Sequence, residues 1–164
     1  MVSQLRQDGM SAVIGIDPGQ SGGIAVIVDG VAAAYKMPET ERDLYDLLAG
    51  IVIANPGIVA VLEKVGAMPK QGVASTWKFG QHYGMLRGFL IALHIPFETV
   101  SPAVWQRRMG CLSHGDKNVT KRKAQELFPT LKITHALADA LLIARDATTE
   151  RFPHGLSSII VERS

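Results

Sequence analysis

Three acidic residues stand out because their sequence neighbours are apolar. Asp17 follows Ala12-Val13-Ile14-Gly15-Ile16 and opens Pro18-Gly19, so its carboxylate stands at a strand exit with a tight turn clearing the space in front of it. A turn starter needs no more than that. Glu63 closes residues 58–62, a continuous apolar run of strand length, and shares a strand face with Val59 and Val61. Burying a lone carboxylate costs on the order of several kcal/mol, so Glu63 must reach water, Lys64, a cation or a hydrogen-bond donor. Asp139 sits in Ala136-Leu137-Ala138-Asp139-Ala140-Leu141-Leu142-Ile143-Ala144, a stretch otherwise wholly apolar. On a helix its i+3 and i+4 neighbours are Leu142 and Ile143, which turns it toward the core. His135 lies one turn earlier on the same face, and the two make an N/O ligand pair. Asp146, two turns later and nearer the polar helix end, reads as a solvated alternative.

Folding that gathers Asp17, Glu63 and Asp139 would create an oxygen-rich site suited to Mg²⁺ or Mn²⁺. Two such ions roughly 4 Å apart can activate water and stabilise the leaving oxygen in phosphodiester hydrolysis. The sequence holds no GxxxxGK[ST] phosphate loop, no Cys-based zinc spacing and no Gly-x-Ser-x-Gly elbow, so nucleotide-triphosphatase, zinc and acyl-transfer chemistry lack support. No nucleotide cofactor is expected.

Charge suggests what the site faces. The whole chain of 164 residues carries a formal net charge of only +2, too balanced to name a partner. Residues 78–123, however, hold eight basic side chains against two acidic ones, a local +6, while the remainder holds nine against thirteen, −4. That asymmetry points to a basic surface against a polyanion. Lys70, Lys117, Lys121, Arg122 and Lys123 are the cations expected nearest the scissile phosphate or the flanking backbone, the alternative being a solvated helix face.

The elements that must position these groups follow from pattern. Residues 12–16, 24–28 and about 31–37 read as strands of an antiparallel meander, with Asp29-Gly30 as a tight turn. Thr40 and Asp43 cap a helix running to about Ala54, and the strand ending at Glu63 follows the Asn55-Pro56-Gly57 turn. That turn also interrupts residues 47–62, the longest uncharged apolar stretch, which excludes a membrane span there.

Residues 72–93 read as a helix with Gly80, Gly84, Gly88 and Ala92 in one i, i+4 row. Each mid-helix glycine costs about 1 kcal/mol relative to alanine, so the row implies close approach of another backbone. That backbone is either the protein's own sheet or the same helix of a two-fold mate. A strand at 96–100, a short helix at 102–108, a polar loop at 110–118, a basic helix at 119–128 and a last helix from about Thr134 to Glu150 complete the series. Strands first in a meander and then alternating with helices imply an α/β sandwich around a mixed sheet. Residues 1–10 read as a flexible extension lacking the apolar core of a secretion signal, 11–150 as a single domain and 151–164 as a short tail. One cysteine, Cys111, excludes an internal disulfide and fits a reducing compartment, so a soluble, cytoplasmic protein is expected.

Taken together, Ile14-Gly15-Ile16-Asp17-Pro18-Gly19, Val61-Leu62-Glu63 and Ala138-Asp139-Ala140-Leu141-Leu142-Ile143-Ala144 resemble, in order and spacing, the RuvC-like Holliday-junction resolvases of the ribonuclease-H-like superfamily. Val100-Ser101-Pro102-Ala103-Val104-Trp105-Gln106, Lys121-Arg122-Lys123-Ala124 and Phe128-Pro129 resemble the connecting region of its phage-type members, and the likeness runs over residues 12–147. The resemblance implies a ribonuclease-H-like mixed five-stranded sheet with helices on both faces. It also implies a homodimer, acting in a bacterial or phage-infected cell, that resolves four-way junctions or other branched DNA in recombination and repair by two symmetric Mg²⁺-dependent nicks. Asp17, Glu63 and Asp139 would then be the catalytic, metal-binding carboxylates, with two ions per site.

His135 takes the place where many relatives carry a further acid. Imidazole there removes a negative charge and softens the ligand set, favouring tolerance of Mn²⁺; alternatively His135 moves a proton. The spacing of His135 and Asp139 is four where cellular bacterial members have three, and both spacings keep one helical face. Where some relatives follow the strand-end Glu with a wedging aromatic, this chain has Gly66-Ala67-Met68-Pro69, leaving Met68 as an apolar wedge or as packing. The rival functions are a general ribonuclease-H-like nuclease and a junction-binding protein that does not cut.

Overall fold

The computed structural model describes residues 12–66 and 72–151. The notional extension at 1–10, the tail beyond 151, and Met68 and Lys70 lie outside the described residues. Among those described, β1 (Ala12–Asp17), β2 (Gly23–Val28) and β3 (Val31–Lys36) form the expected antiparallel meander. The chain then crosses through α1 (Glu41–Ala54) to β4 (Val59–Glu63), and through α2 (Val73–Ala92) to β5 (Phe97–Val100). Both crossovers return parallel strands, giving a mixed five-stranded sheet of order β3-β2-β1-β4-β5. The helices α3 (Pro102–Arg108), α4 (Lys117–Leu127) and α5 (His135–Asp146) follow, the last running on into a π-helical turn at Ala147–Arg151.

Local chemistry accounts for the boundaries. Thr40 caps α1 by accepting from the Asp43 N–H at 3.1 Å, Pro102 occupies the first turn of α3, and Asp116 caps α4 by accepting from the Asn118 N–H. Capping by Asp116 starts α4 two residues earlier than the sequence pattern placed it, which brings Lys117 into its first turn.

The sheet is covered on both faces, as a fully buried β4 requires. Alternate residues of β1 and β4 divide the core: Val13, Val59 and Val61 pack with α3, α4 and α5, whereas Ile14, Ile16, Ala60 and Leu62 pack with α1 and α2. The tightest contact lies between β1 and α5. A Cβ built on Gly15 would stand 2.3 Å from the Ala140 carbonyl oxygen and 2.5 Å from the Ala144 nitrogen, and one on Gly23 would stand 2.4 Å from the Ala136 oxygen. Glycine at these two strand positions lets the helix backbone settle directly on the sheet, and that approach sets the height of Asp139 above Asp17.

The glycine row of α2 meets nothing of the kind. Among the described residues no atom lies within 4 Å of a Cβ built on Gly80, Gly84 or Gly88. Packing on the protein's own sheet is therefore ruled out as the reason for the row. The sheet side of α2 is held by Leu86 and Leu90 instead. The glycine face is exposed and carries Val73, Trp77 and Ile91, which are 88%, 68% and 63% exposed.

Candidate functional site

Parallel pairing of β1 with β4 places Asp17 and Glu63 side by side where the two strands leave the sheet. The two carboxyls share a hydrogen bond, and α5 brings Asp139 close enough to repel both. Burial is the largest influence on each acid and raises all three above the ordinary carboxylate range. Asp17 is pushed up to about 8 by burial and then by the charges of Glu63 and Asp139. Glu63 is pushed up to about 7 by burial against the opposing pull of the Trp105 indole. Asp139 is raised by burial, with Thr120, Lys117 and His135 favouring its ionised form. One of its oxygens, Oδ1, is buried with no hydrogen-bond partner.

Glu63 has therefore neither emerged into water nor turned to Lys64. It is 8% exposed, and its Oε1 accepts from the Trp105 Nε1 at 2.8 Å. Trp105, fully buried in α3, satisfies its only polar atom by doing so and pins the carboxylate. Lys117 is the cation of the group, since its charge bears on Asp17, Glu63 and Asp139 alike. His135 sits exposed in the first turn of α5, beside Asp139 as the i, i+4 spacing requires.

Asp146 corrects an expectation. Rather than being solvated, its side chain is 1% exposed and forms a bidentate pair with Arg108 of α3, with Nε donating to Oδ1 at 2.8 Å. The pair ties α3 to α5 and removes Asp146 from the acidic group, because its charge is already matched. The sequence pattern erred because helix position alone does not reveal what a neighbouring helix brings.

The other basic residues of α4 separate. Arg122 is exposed and Lys121 half-buried, whereas Lys123 turns to Glu126 at 3.3 Å.

Two contributors escaped sequence reasoning. Trp105 lies in the short helix after β5, but nothing local says its indole would meet an acid 42 residues away. Thr120, buried beside Asp139, is an ordinary helix residue until α4 packs on α5. Gly15 did carry a signal, since a glycine interrupting an apolar strand marks close backbone approach.

The donor set fits divalent cations of the Mg²⁺ and Mn²⁺ type. It consists of hard carboxylate oxygens, one buried oxygen lacks any partner, and burial, joined at Asp17 and Glu63 by neighbouring negative charge, holds protons on acids that a cation would otherwise neutralise. Among the described residues, no group of three His, Cys, Asp or Glu side chains is placed so that it could hold one ion as it stands. No helix among them is long and apolar enough to cross a membrane. Cys111 is free and buried.

No family model matches the chain, and no curated protein matches it either. Solved structures do. Thermus thermophilus RuvC in complex with Holliday junction substrate superposes with a TM-score of 0.59 at 16% identity, covering 84% of this chain and 92% of that one. A second Thermus thermophilus RuvC structure gives 0.55 at 20% identity, with 84% and 93% covered. At such identities the likeness is one of architecture, and it extends over nearly the full length of both partners. The chain thus has the ribonuclease-H-like fold of the RuvC structures, with Asp17, Glu63 and Asp139 drawn together at one end of its sheet.

Proposed function

We propose that this protein is a metal-dependent, structure-selective endonuclease that resolves Holliday junctions or other branched DNA, working as a homodimer that makes two symmetric nicks. The observation that carries the reading is the convergence of Asp17, Glu63 and Asp139, residues 46 and 76 positions apart in sequence, into one acidic group in which Glu63 is buried and the other two are half-buried. Its fold, shared with a RuvC solved on Holliday junction substrate, agrees.

In this reading Asp17, Glu63, Asp139 and His135 hold Mg²⁺, or Mn²⁺ in its place, with two ions per site. When bound, such ions activate water and stabilise the leaving oxygen of a phosphodiester. The protein's own groups do the rest. Trp105 fixes the Glu63 carboxylate by its 2.8 Å hydrogen bond, so that this ligand keeps one orientation through the reaction. Lys117, already beside the acids, attracts the scissile phosphate into an otherwise negative site. Lys121 and Arg122 continue that positive line along α4, Lys123 would join it on leaving Glu126, and Lys70, outside the described residues, is proposed as a further cation for the flanking backbone. His135, exposed at the rim, is placed either to ligate or to accept the proton that attacking water gives up.

The exposed glycine face of α2 provides the dimer contact. Small residues let two helices approach closely, and Trp77 and Ile91 at its ends would be removed from water.

The test is nicking of a synthetic four-way junction in Mg²⁺ and in Mn²⁺, beside a flap and a linear RNA–DNA hybrid. The expected result is preferential nicking of the junction, abolished in Asp17→Asn and Asp139→Asn while junction binding is retained. Equal cutting of the linear hybrid would make the protein a general nuclease of the same fold. Binding without cutting in either metal would make it a junction clamp.

A further inference from the structure

A cleft of about 540 Å³ opens beside the turn that follows Asp17. It lies on the α1 and α2 side of the sheet, and no part of the proposed hydrolytic group uses it. Its walls are the Gly19–Gln20 turn, residues 38–41 leading into α1, and one flank of α2. All three emerge at the end of the sheet where Asp17 and Glu63 lie. Lys36 pairs with Gly23, which pairs in turn with Asp17, so β3 delivers residues 38–41 to that same end.

We infer that this cleft is a nucleobase pocket, which takes in an unstacked base of the DNA strand next to the cut and sets the preferred cleavage sequence. The inference rests on the nuclease reading above and assigns part of its substrate contact. The size suits one nucleotide, falling within the ~300–1,000 Å³ of small-molecule sites. The stacking surface is Phe79. Its ring rests against the turn so closely that a Cβ on Gly19 would stand 3.2 Å from Cε2, and Gly19 is two residues from Asp17. The ring thus lies at the same end of the sheet as Asp17 but on the opposite face from its carboxylate, so a base stacked on it would belong to a nucleotide that has passed around that end from the phosphate Asp17 serves.

Around the ring stand groups able to read a base edge. Gln20 and Gln81 each offer an amide that both donates and accepts, and Glu39 can accept from an exocyclic amine. Lys78, on the same wall, suits the backbone phosphate. His82 also lines the cleft, and its Nε2 is buried without a hydrogen-bond partner. Burial lowers the pKa of that imidazole, which keeps the ring neutral, with one nitrogen to donate and one to accept. That nitrogen is shut off from solvent in the unbound protein, so its unmet hydrogen bond would be made to a base only if the ring turns toward the cleft as the base enters.

Branched DNA makes the extrusion inexpensive, because bases at a crossover have already lost part of their stacking and a flipped base is most accessible where that is so. Of the α2 residues lining the cleft, Ser75, Lys78, His82 and Met85 are rotated away from Gly80, Gly84 and Gly88 at 100° per residue, whereas Gln81 borders the glycine face. Pairing through that face leaves the first four free.

The test places 2-aminopurine, whose fluorescence rises on unstacking, at each position within two nucleotides of the cut in a four-way junction. Full-length protein is added in chelator so that binding occurs without cutting. The expected result is a rise at one position, lost in Phe79→Leu, which keeps apolar bulk but not the flat ring, with junction affinity about tenfold weaker. On junctions randomised around the cut, His82→Ala and the exposed Gln81→Ala should broaden the cleavage preference at that same position. If wild-type protein nicks the junction normally while no position brightens, or if Phe79→Leu and Gln81→Ala keep both signal and preference, the pocket is refuted and the nuclease reading stands. If wild-type protein neither binds nor nicks junctions, the nuclease reading fails and the pocket with it.

Discussion

Three carboxyl groups packed together with one ammonium group, that of Lys117, are poorly placed to be ionised without a further cation. In the metal-free protein Asp17 and Glu63 titrate near 8 and 7, well above their values in an unfolded chain. The folded state then binds more protons than the unfolded state between about pH 4 and pH 8, so metal-free stability falls as pH rises through that window. The unfolding midpoint in chelator is expected to drop by roughly 5 °C or more from pH 5.5 to 8.5. Millimolar Mg²⁺ should restore it, most strongly at the high end. Asp17→Asn should flatten the profile, and calorimetry of both proteins across the pH series measures the difference. At the same scale, Trp105→Phe keeps the ring bulk but takes the indole N–H away from Glu63 Oε1. A loss of about 10–100-fold in nicking rate or metal affinity with little change in fold is expected, as for other residues that orient a ligand, and metal titration of the variant reads it directly.

Helix α5 and strand β1 form the element pair that decides whether a site exists. Gly15 and Gly23 admit the α5 backbone to the sheet, so Gly15→Ala must push the helix outward against backbone atoms that have no rotamer to yield. A stability loss of about 1–3 kcal/mol is expected, together with a nicking defect larger than the defect in junction binding, because Asp139 is displaced from Asp17. Chemical denaturation and the two activity assays separate these effects. Helix α2 makes the opposite case, since its glycines are unfavourable by about 1 kcal/mol each within the helix and nothing in the described residues packs on them. Substituting leucine at Gly84 should leave the monomer fold intact and abolish the dimer in sedimentation experiments. A dimer that survives would move the interface elsewhere.

Over the whole molecule, charge and layers are divided to match. One face of the sheet, covered by α3, α4 and α5, carries the acids and the basic α4, while the other carries α1, α2 and the aromatic cleft. Arg108 and Lys123 belong to the basic segment by sequence but are engaged with Asp146 and Glu126. The phosphate-facing charge is correspondingly smaller than the local +6 suggests. If Lys117, Lys121, Arg122 and Lys70 neutralise about four phosphates per protomer, hence about eight per dimer, junction affinity should fall roughly ten-thousandfold between 50 and 200 mM salt. Fluorescence anisotropy across that range measures the slope, and a flat response would contradict the assignment of α4 to DNA.

Much of this arrangement was legible before any coordinates. Period-two and period-3.6 patterns, Pro102 and the Thr40 cap are local signals, and a helix or strand responds to its nearest neighbours in sequence, although the Asp116 cap of α4 was not read from them. Asp17, Glu63 and Asp139 could be singled out because an acid in an apolar run is conspicuous wherever it occurs. What sequence could not supply was company. Trp105 on Glu63, Arg108 on Asp146, Lys117 among the acids and the open space over Gly84 all depend on packing between elements remote in the chain. Hydrogen bonds and charge pairs of that kind are decided by a few ångströms of approach, which only the closing of helices onto the sheet determines.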